Sequence, residues 1–264
     1  MIRRTAELLL VGGKVWTRLG APTTGEDTLA VAIADGRILD VGPLPALAAT
    51  AGPQTRTVDV GGRRVVPGLV DSHIHAVRAG LTYLDELDWT DVRTLGDALD
   101  SVAAAAADRP DGTWITVQGG WHPAQLAENR MPTRAELDAA APRHPVFVYP
   151  LYGHEDVAVL NGAALDALGW TGAVPDPEGA VLFRGPDGRP DGRLTGLGAY
   201  QHIARVAADP DPERAVASSR AFFRRLAALG LTGVVDAAAS AWNRAATRPF
   251  AACGARASSR SGSG

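Results

Sequence analysis

His73 and His75 close the run Val65-Val66-Pro67-Gly68-Leu69-Val70-Asp71-Ser72-His73-Ile74-His75. One residue apart on a strand, their side chains project to the same face, so both imidazoles can aim at one point while Ile74 packs the other way. Two neutral imidazoles that converge are half of a metal site; the alternative is two ordinary hydrogen-bonding histidines at a strand end. Val65, Val66, Leu69 and Val70 suit a strand buried on both faces, as in a parallel sheet or barrel core. Its polar end would open onto the carboxyl-terminal rim, where active sites of such folds lie. Asp71 is placed to support the histidines or to close the turn.

Other residues carry weaker signals. His154 follows Gly153 after an apolar strand and is placed to contact substrate or polarise a carbonyl, with a structural hydrogen bond as the alternative. His122 follows Gly119-Gly120-Trp121 and has the same two readings. Asp236 ends a second apolar run, Leu231 to Val235, either on the same rim or as a helix cap. His144, between Arg143 and Pro145, and His202, in a weakly patterned helix, read as surface groups. No Gly-x-Ser-x-Gly elbow occurs, which removes the usual serine hydrolase arrangement.

The elements that must position these groups can be read from periodicity and punctuation. Residues 6 to 66 alternate short apolar runs with turn residues, the pattern of an antiparallel β unit; Asp35-Gly36 between Leu29–Ile33 and Ile38–Val41 marks a hairpin. Thr94 and Asp97 predict a capped helix over 94–108, with Leu95, Leu99, Val102 and Ala106 on one face. Strands follow at Trp114–Val117 and Val146–Tyr149, with a Thr133/Glu136 capping box opening a helix between them. Asn161 can cap a helix that Gly169 stops, and two Pro-Asp-Gly triplets, 186–188 and 190–192, mark turns flanking a hairpin. Asp211 and Pro212 open a long helix leading to Leu231–Asp236. A helix followed by a buried strand completes a βαβ unit begun at residue 65 and interrupted by roughly a hundred residues.

This predicts an α/β chain in three parts. Residues 1–64 form an N-terminal β-sandwich portion; 65–236 carry the start of a parallel sheet or barrel with an α/β insert at about 110–205; 237–264 are a disordered or out-of-frame tail, with four arginines and no Asp, Glu or Lys. A net charge of −3 on 264 residues offers no electrostatic case for nucleic acid or an anionic membrane. Nothing approaches the ~18 unbroken apolar residues of a membrane span, and the first residues lack a signal-peptide core. The single Cys253 excludes an internal disulfide framework. These features favour the cytoplasm and leave the oligomeric state open.

Taken together, the blocks resemble the metal-dependent amidohydrolase superfamily, in its amidohydrolase family 3 branch. Pro67 to His75 resembles the signature ending the first barrel strand. Trp114 to Trp121, Met131 to Asp138 with Pro142 and Pro145-Val146, then Gly153-His154 with Asn161 and Ala164-Leu165, follow that branch's order, and residues 232–236 resemble its Gly-Val-Thr…Asp strand. The resemblance implies a partial TIM-like barrel, its first two strands plus a large insert, beside a β-sandwich portion. It implies hydrolysis of non-peptide carbon–nitrogen bonds, in amides or cyclic amides, by metal-activated water. His73 and His75 would be ligands of a divalent metal, zinc first, and a small-molecule amide the substrate. Departures are specific: Tyr152 stands where the branch often has Asp, Gly162 where it often has Ser, and no acid lies between Asp191 and Asp209, where a glutamate is common. No histidine follows His202, and Lys14, the only lysine, is too early to bridge metals. The expectation is an incomplete portion of such a hydrolase, weakly active or inactive; the alternative is a non-catalytic fragment or binding module with an incomplete metal site.

Overall fold

The computed structural model describes residues 4–16, 29–151, 157–207 and 211–236. These residues divide into two compact units, one within residues 4–71 with 230–233 and the other within 72–229 with 234–236.

In the first unit, β1 (Ala6–Val15), β2 (Leu29–Ala34), β3 (Arg37–Pro43), a short α1 (Leu44–Leu47), β4 (Ala51–Asp59) and β5 (Arg64–Val65) make one sheet. The β2–β3 hairpin turns through Asp35 and Gly36 at φ 51° and 66°. Both residues are therefore left-handed, as the two-residue turn that matches strand twist requires. The expected purely antiparallel unit is instead mixed. Strands run in the order β3-β2-β1-β4, and β1 pairs parallel with both β4 and β5. The connection from β3 through α1 is long enough to carry the chain across to the far side of β1, which a parallel neighbour demands and a tight turn cannot supply. Ala6, Leu9, Ala30, Ala32 and Leu47 form its core.

The second unit is built on a five-stranded mixed sheet. It comprises β6 (Leu69–Ile74, shared with the first unit), α2 (Ala76–Thr82), α3 (Leu95–Asp108), β7 (Ile115–Trp121), α4 (Arg134–Ala140), β8 (Val146–Leu151), β9 (Val157–Leu160), α5 (Gly162–Ala167), β10 (Val181–Arg184), β11 (Pro190–Thr195), α6 (Leu197–Val206), α7 (Pro212–Ala228) and β12 (Leu231–Asp236, likewise shared). Strand order is β10-β11-β9-β8-β7; β7 and β8 are parallel through the α4 crossover, and the other pairs are antiparallel. Alternation along β8 separates two cores. Val146 and Val148 join α3, α4 and β7 around Trp89, while Phe147 and Tyr149 join α5, α6 and β11. A sheet covered on both faces follows from that period of two.

Local signals hold where side chains cap. The Thr94, Thr133, Asn161 and Asp211 side chains each accept a first-turn N–H of α3, α4, α5 and α7. The second Pro-Asp-Gly triplet does not make a turn: Pro190-Asp191-Gly192 opens β11, and Gly192, at φ 100°, lies where any Cβ would strike the Leu160 carbonyl. On α7 the buried residues are Ala215, Ser218, Ser219 and Phe222, so two serines lie on the buried face. The Ser218 hydroxyl accepts the Leu84 N–H at 3.1 Å, which makes its burial tolerable.

One expectation about β6 is overturned. Val66, Leu69 and Val70 are 53%, 55% and 62% exposed rather than buried on both faces. Among the described residues β6 pairs only with β12, so it lacks the flanking strands and covering helices that would bury an apolar strand.

Candidate metal centre

The site is assembled where β6 runs into α2. The Leu69 N–H donates to the Gly230 carbonyl at 3.2 Å, and the Thr232 hydroxyl donates to the Leu69 carbonyl at 3.4 Å. A Cβ on Gly68 would overlap the Thr232 side chain. Glycine in the Pro67-Gly68-Leu69 string is thus explained by the approach of β12, not by a turn. Beyond it, His73 and His75 both reach solvent, with ring centroids 5.6 Å apart and planes at 73°. The two rings lie close together, but β6 ends at Ile74, so His75 falls outside the strand that was expected to carry both.

His75 is the N-cap of α2, and its carbonyl accepts the Ala79 N–H at 3.0 Å. Its imidazole makes no cap bond to its own helix. The Val77 N–H donates instead to Asp236 Oδ2, at 2.7 Å, from the end of β12. Asp236, readable in the sequence as a rim group or a cap, is a cap, though of a helix 159 residues earlier in the chain.

From α2, Arg78 donates to Glu86 Oε1 at 2.7 Å and to Thr82 Oγ1 at 3.1 Å, and its second terminal nitrogen donates to Gln118 Oε1 on β7. The Thr82 hydroxyl donates to the same Glu86 oxygen at 2.6 Å. The Arg78 and Glu86 side chains are 23% and 14% exposed. A partly buried ion pair is held when its remaining groups are hydrogen-bonded, and here a hydroxyl and an amide supply that. The network ties the helix after the histidines to the central sheet of its unit. In the sequence only Arg78 and Thr82 carry a signal, the helical i, i+4 spacing; Glu86 lies beyond the end of α2. Gln118 carries no comparable signal.

The histidine pair fits two positions around a divalent ion. Imidazoles bound to one tetrahedral ion at about 2.0–2.1 Å have ring centroids on the order of 5 Å apart, close to the 5.6 Å observed. Among the described residues, no group of three or more His, Cys, Asp or Glu side chains is gathered as a metal site.

The remaining candidates part company. His154, with Gly153 and Tyr152, lies outside the described residues, as does the tail 237–264 with Cys253. His122 is exposed and caps a 3-10 turn over Pro123–Gln125: its Nδ1 accepts the Ala124 N–H at 3.0 Å, so that nitrogen is spent on the backbone. His144 is not a surface group. It is 1% exposed; its Nδ1 lies 3.1 Å from the Thr113 carbonyl and, facing an acceptor, must donate. Backbone bonds from Gly112 to Arg143 and from Ile115 to Pro145 draw the Arg-His-Pro segment alongside the start of β7, and this buries the ring. His202 is half-buried against Trp170, with ring centroids 5.2 Å apart, rather than solvated.

The sequence model of the amidohydrolase family matches residues 56–259. An N-substituted formamide deformylase from Arthrobacter pascens is 34% identical over 220 residues, which are 80% of this chain and 39% of that protein. A putative amidohydrolase, YtcJ, from Bacillus subtilis strain 168 is 30% identical over 69% of this chain and 34% of its own length. The chain therefore spans less than half the length of either relative. Among solved structures, an uncharacterized metal-dependent hydrolase from Pyrococcus furiosus has the same fold over 86% of this chain and 43% of its own, with a TM-score of 0.52 at 22% identity.

Proposed function

The chain belongs to the amidohydrolase family, and from that premise we propose that it carries the metal-binding start of a hydrolase acting on non-peptide carbon–nitrogen bonds. The observation that carries the reading is the exposed His73/His75 pair at the end of β6, inside the matched region. The two imidazoles would hold a divalent ion, zinc by the preference of nitrogen ligands. Bound there, such an ion would supply an acidified water and polarise a carbonyl. Asp236 and the Arg78 network hold the backbone that presents the histidines, and His154 would meet the substrate carbonyl. In this reading β6 and β12 are the first two strands of a TIM-like barrel, the insert at about 110–205 lies between them, and residues 1–64 belong to a β-sandwich.

Small amides are the substrate class, and the deformylase relative makes an N-substituted formamide the first to try. A cytoplasmic setting fits the single cysteine, and among the described residues no helix is long and apolar enough to cross a membrane. Two donors among the described residues, where catalytic zinc sites use three protein ligands, favour a chain that is weakly active or inactive as it stands, and a non-catalytic binding module is the second reading.

The deciding experiment measures zinc bound to the purified chain and its turnover of an N-substituted formamide, beside His73→Ala and His75→Ala. Zinc binding lost in both variants, with slow or no turnover, is expected. Zinc binding indifferent to both substitutions would overturn the site; rapid turnover would overturn the incompleteness.

A further inference from the structure

We infer that Asp236 is a positioning residue for His75, acting through the first turn of α2, an assignment that rests on the metal reading above. A helix leaves its first N–H groups without intrahelical partners, and the N-cap side chain ordinarily accepts one of them. When that N-cap is a histidine, the same nitrogen cannot also bind a metal. The molecule contains both outcomes. His122 caps its own turn through Nδ1. His75 stands at the same kind of position, yet its side chain makes no cap bond, and the Val77 N–H is taken by Asp236 Oδ2 at 2.7 Å.

The substitution has two consequences for His75. Its imidazole is released from the backbone of α2, and its own backbone, at φ −101° and ψ 58°, is held by a bond made two residues later. The anchor comes from β12, which pairs with the strand that carries His73. Losing a group hydrogen-bonded to a metal ligand typically costs about 10–100-fold in metal affinity; Asp236 acts one step further out, through the Val77 N–H, so the lower end of that range is expected.

The test uses the full chain, with zinc as the probe and a chromophoric chelator as competitor. Asp236→Ala is expected to weaken zinc binding by roughly tenfold, whereas Asp236→Asn, which retains a carbonyl oxygen for the Val77 N–H, stays within about twofold. Asp211→Ala, which removes the corresponding cap of α7, lowers stability but leaves zinc affinity unchanged. Amide hydrogen exchange supplies a measurement that needs no variant: Val77 in the wild-type chain exchanges slowly if the cap exists, and exchange at the rate of an open amide overturns the assignment. A tenfold loss in Asp236→Asn equal to that in Asp236→Ala would show the charge acting directly, and would also overturn it. Zinc binding that requires His73 and His75 but ignores Asp236→Ala defeats the positioning role and spares the metal site. Zinc binding that ignores the histidines defeats both.

Discussion

Asn161 shows how much one side chain can hold together. Fully buried, its Oδ1 accepts the N–H groups of Val146 and Ala164, both at 2.9 Å, while its Nδ2 donates to the carbonyls of Ala141 and His144 at 3.1 and 2.9 Å. The sequence identified only the helix cap. Asn161→Ala is expected to cost about 2–4 kcal/mol, because four buried backbone groups lose a partner at once, as read by urea denaturation. Asn161→Asp should cost at least as much at pH 7, since an ionised carboxylate has no donor and would face two carbonyl oxygens; a near-neutral effect would count against this account. Gly68 is a second such position. Gly68→Ala forces a methyl into the Thr232 side chain and is expected to destabilise the chain by about 1–3 kcal/mol through overpacking, where an ordinary exposed Gly→Ala change would be mildly stabilising. Chemical denaturation distinguishes the two signs.

Elements in this chain are terminated by local chemistry and joined by distant contacts. In α4, Thr133 and Glu136 form the reciprocal capping box written in the sequence, but Glu136 also takes both guanidinium nitrogens of Arg130, at 2.6 and 2.9 Å. That hydrogen-bonded pairing, with bonds from Thr133, holds the Glu136 carboxyl at about 2, below its ordinary 4.5, against the opposing effect of burial. A depressed carboxylate contributes stability above its unfolded pKa and loses it as pH falls through the folded one. Glu136→Gln preserves the box but removes the charge. The variant is expected to be less stable than wild type by about 1 kcal/mol at pH 7, after discounting for the partly exposed arginine. The difference should shrink between pH 4.5 and about 2. Thermal melts across that range check it, and a gap that persists unchanged at pH 2 would sink the attribution. The other helix of consequence, α2, has no such self-contained start, because Asp236 and Gln118 lie far away in sequence.

For the molecule as a whole, the apolar surface of β6 is the feature without a local account. Leu69 and Val70 on the strand, and Val66 just before it, lie exposed although their pattern suits a buried sheet. Exposed contiguous apolar surface marks an interaction surface or an aggregation hazard. Replacing Leu69 and Val70 together by threonine is therefore expected to lower binding of the dye ANS and concentration-dependent association. The change in stability should stay within about 0.5 kcal/mol, as for surface sites. Unchanged dye binding would show that these side chains are covered in solution.

Helix starts, the Asp35-Gly36 hairpin, most strand positions and the histidine pair were legible in the sequence because each depends on residues a few positions apart: a cap and its N–H, two φ values, two side chains on one face. Packing partners were not. That β1 would pair parallel with β4, that His144 would be buried, that two serines would line α7, and that Asp236 would free His75 from capping its own helix all depend on contacts between residues tens to well over a hundred positions apart. Such contacts leave no periodic trace in either segment, since each partner's residue type suits several environments, and only the folded chain selects one.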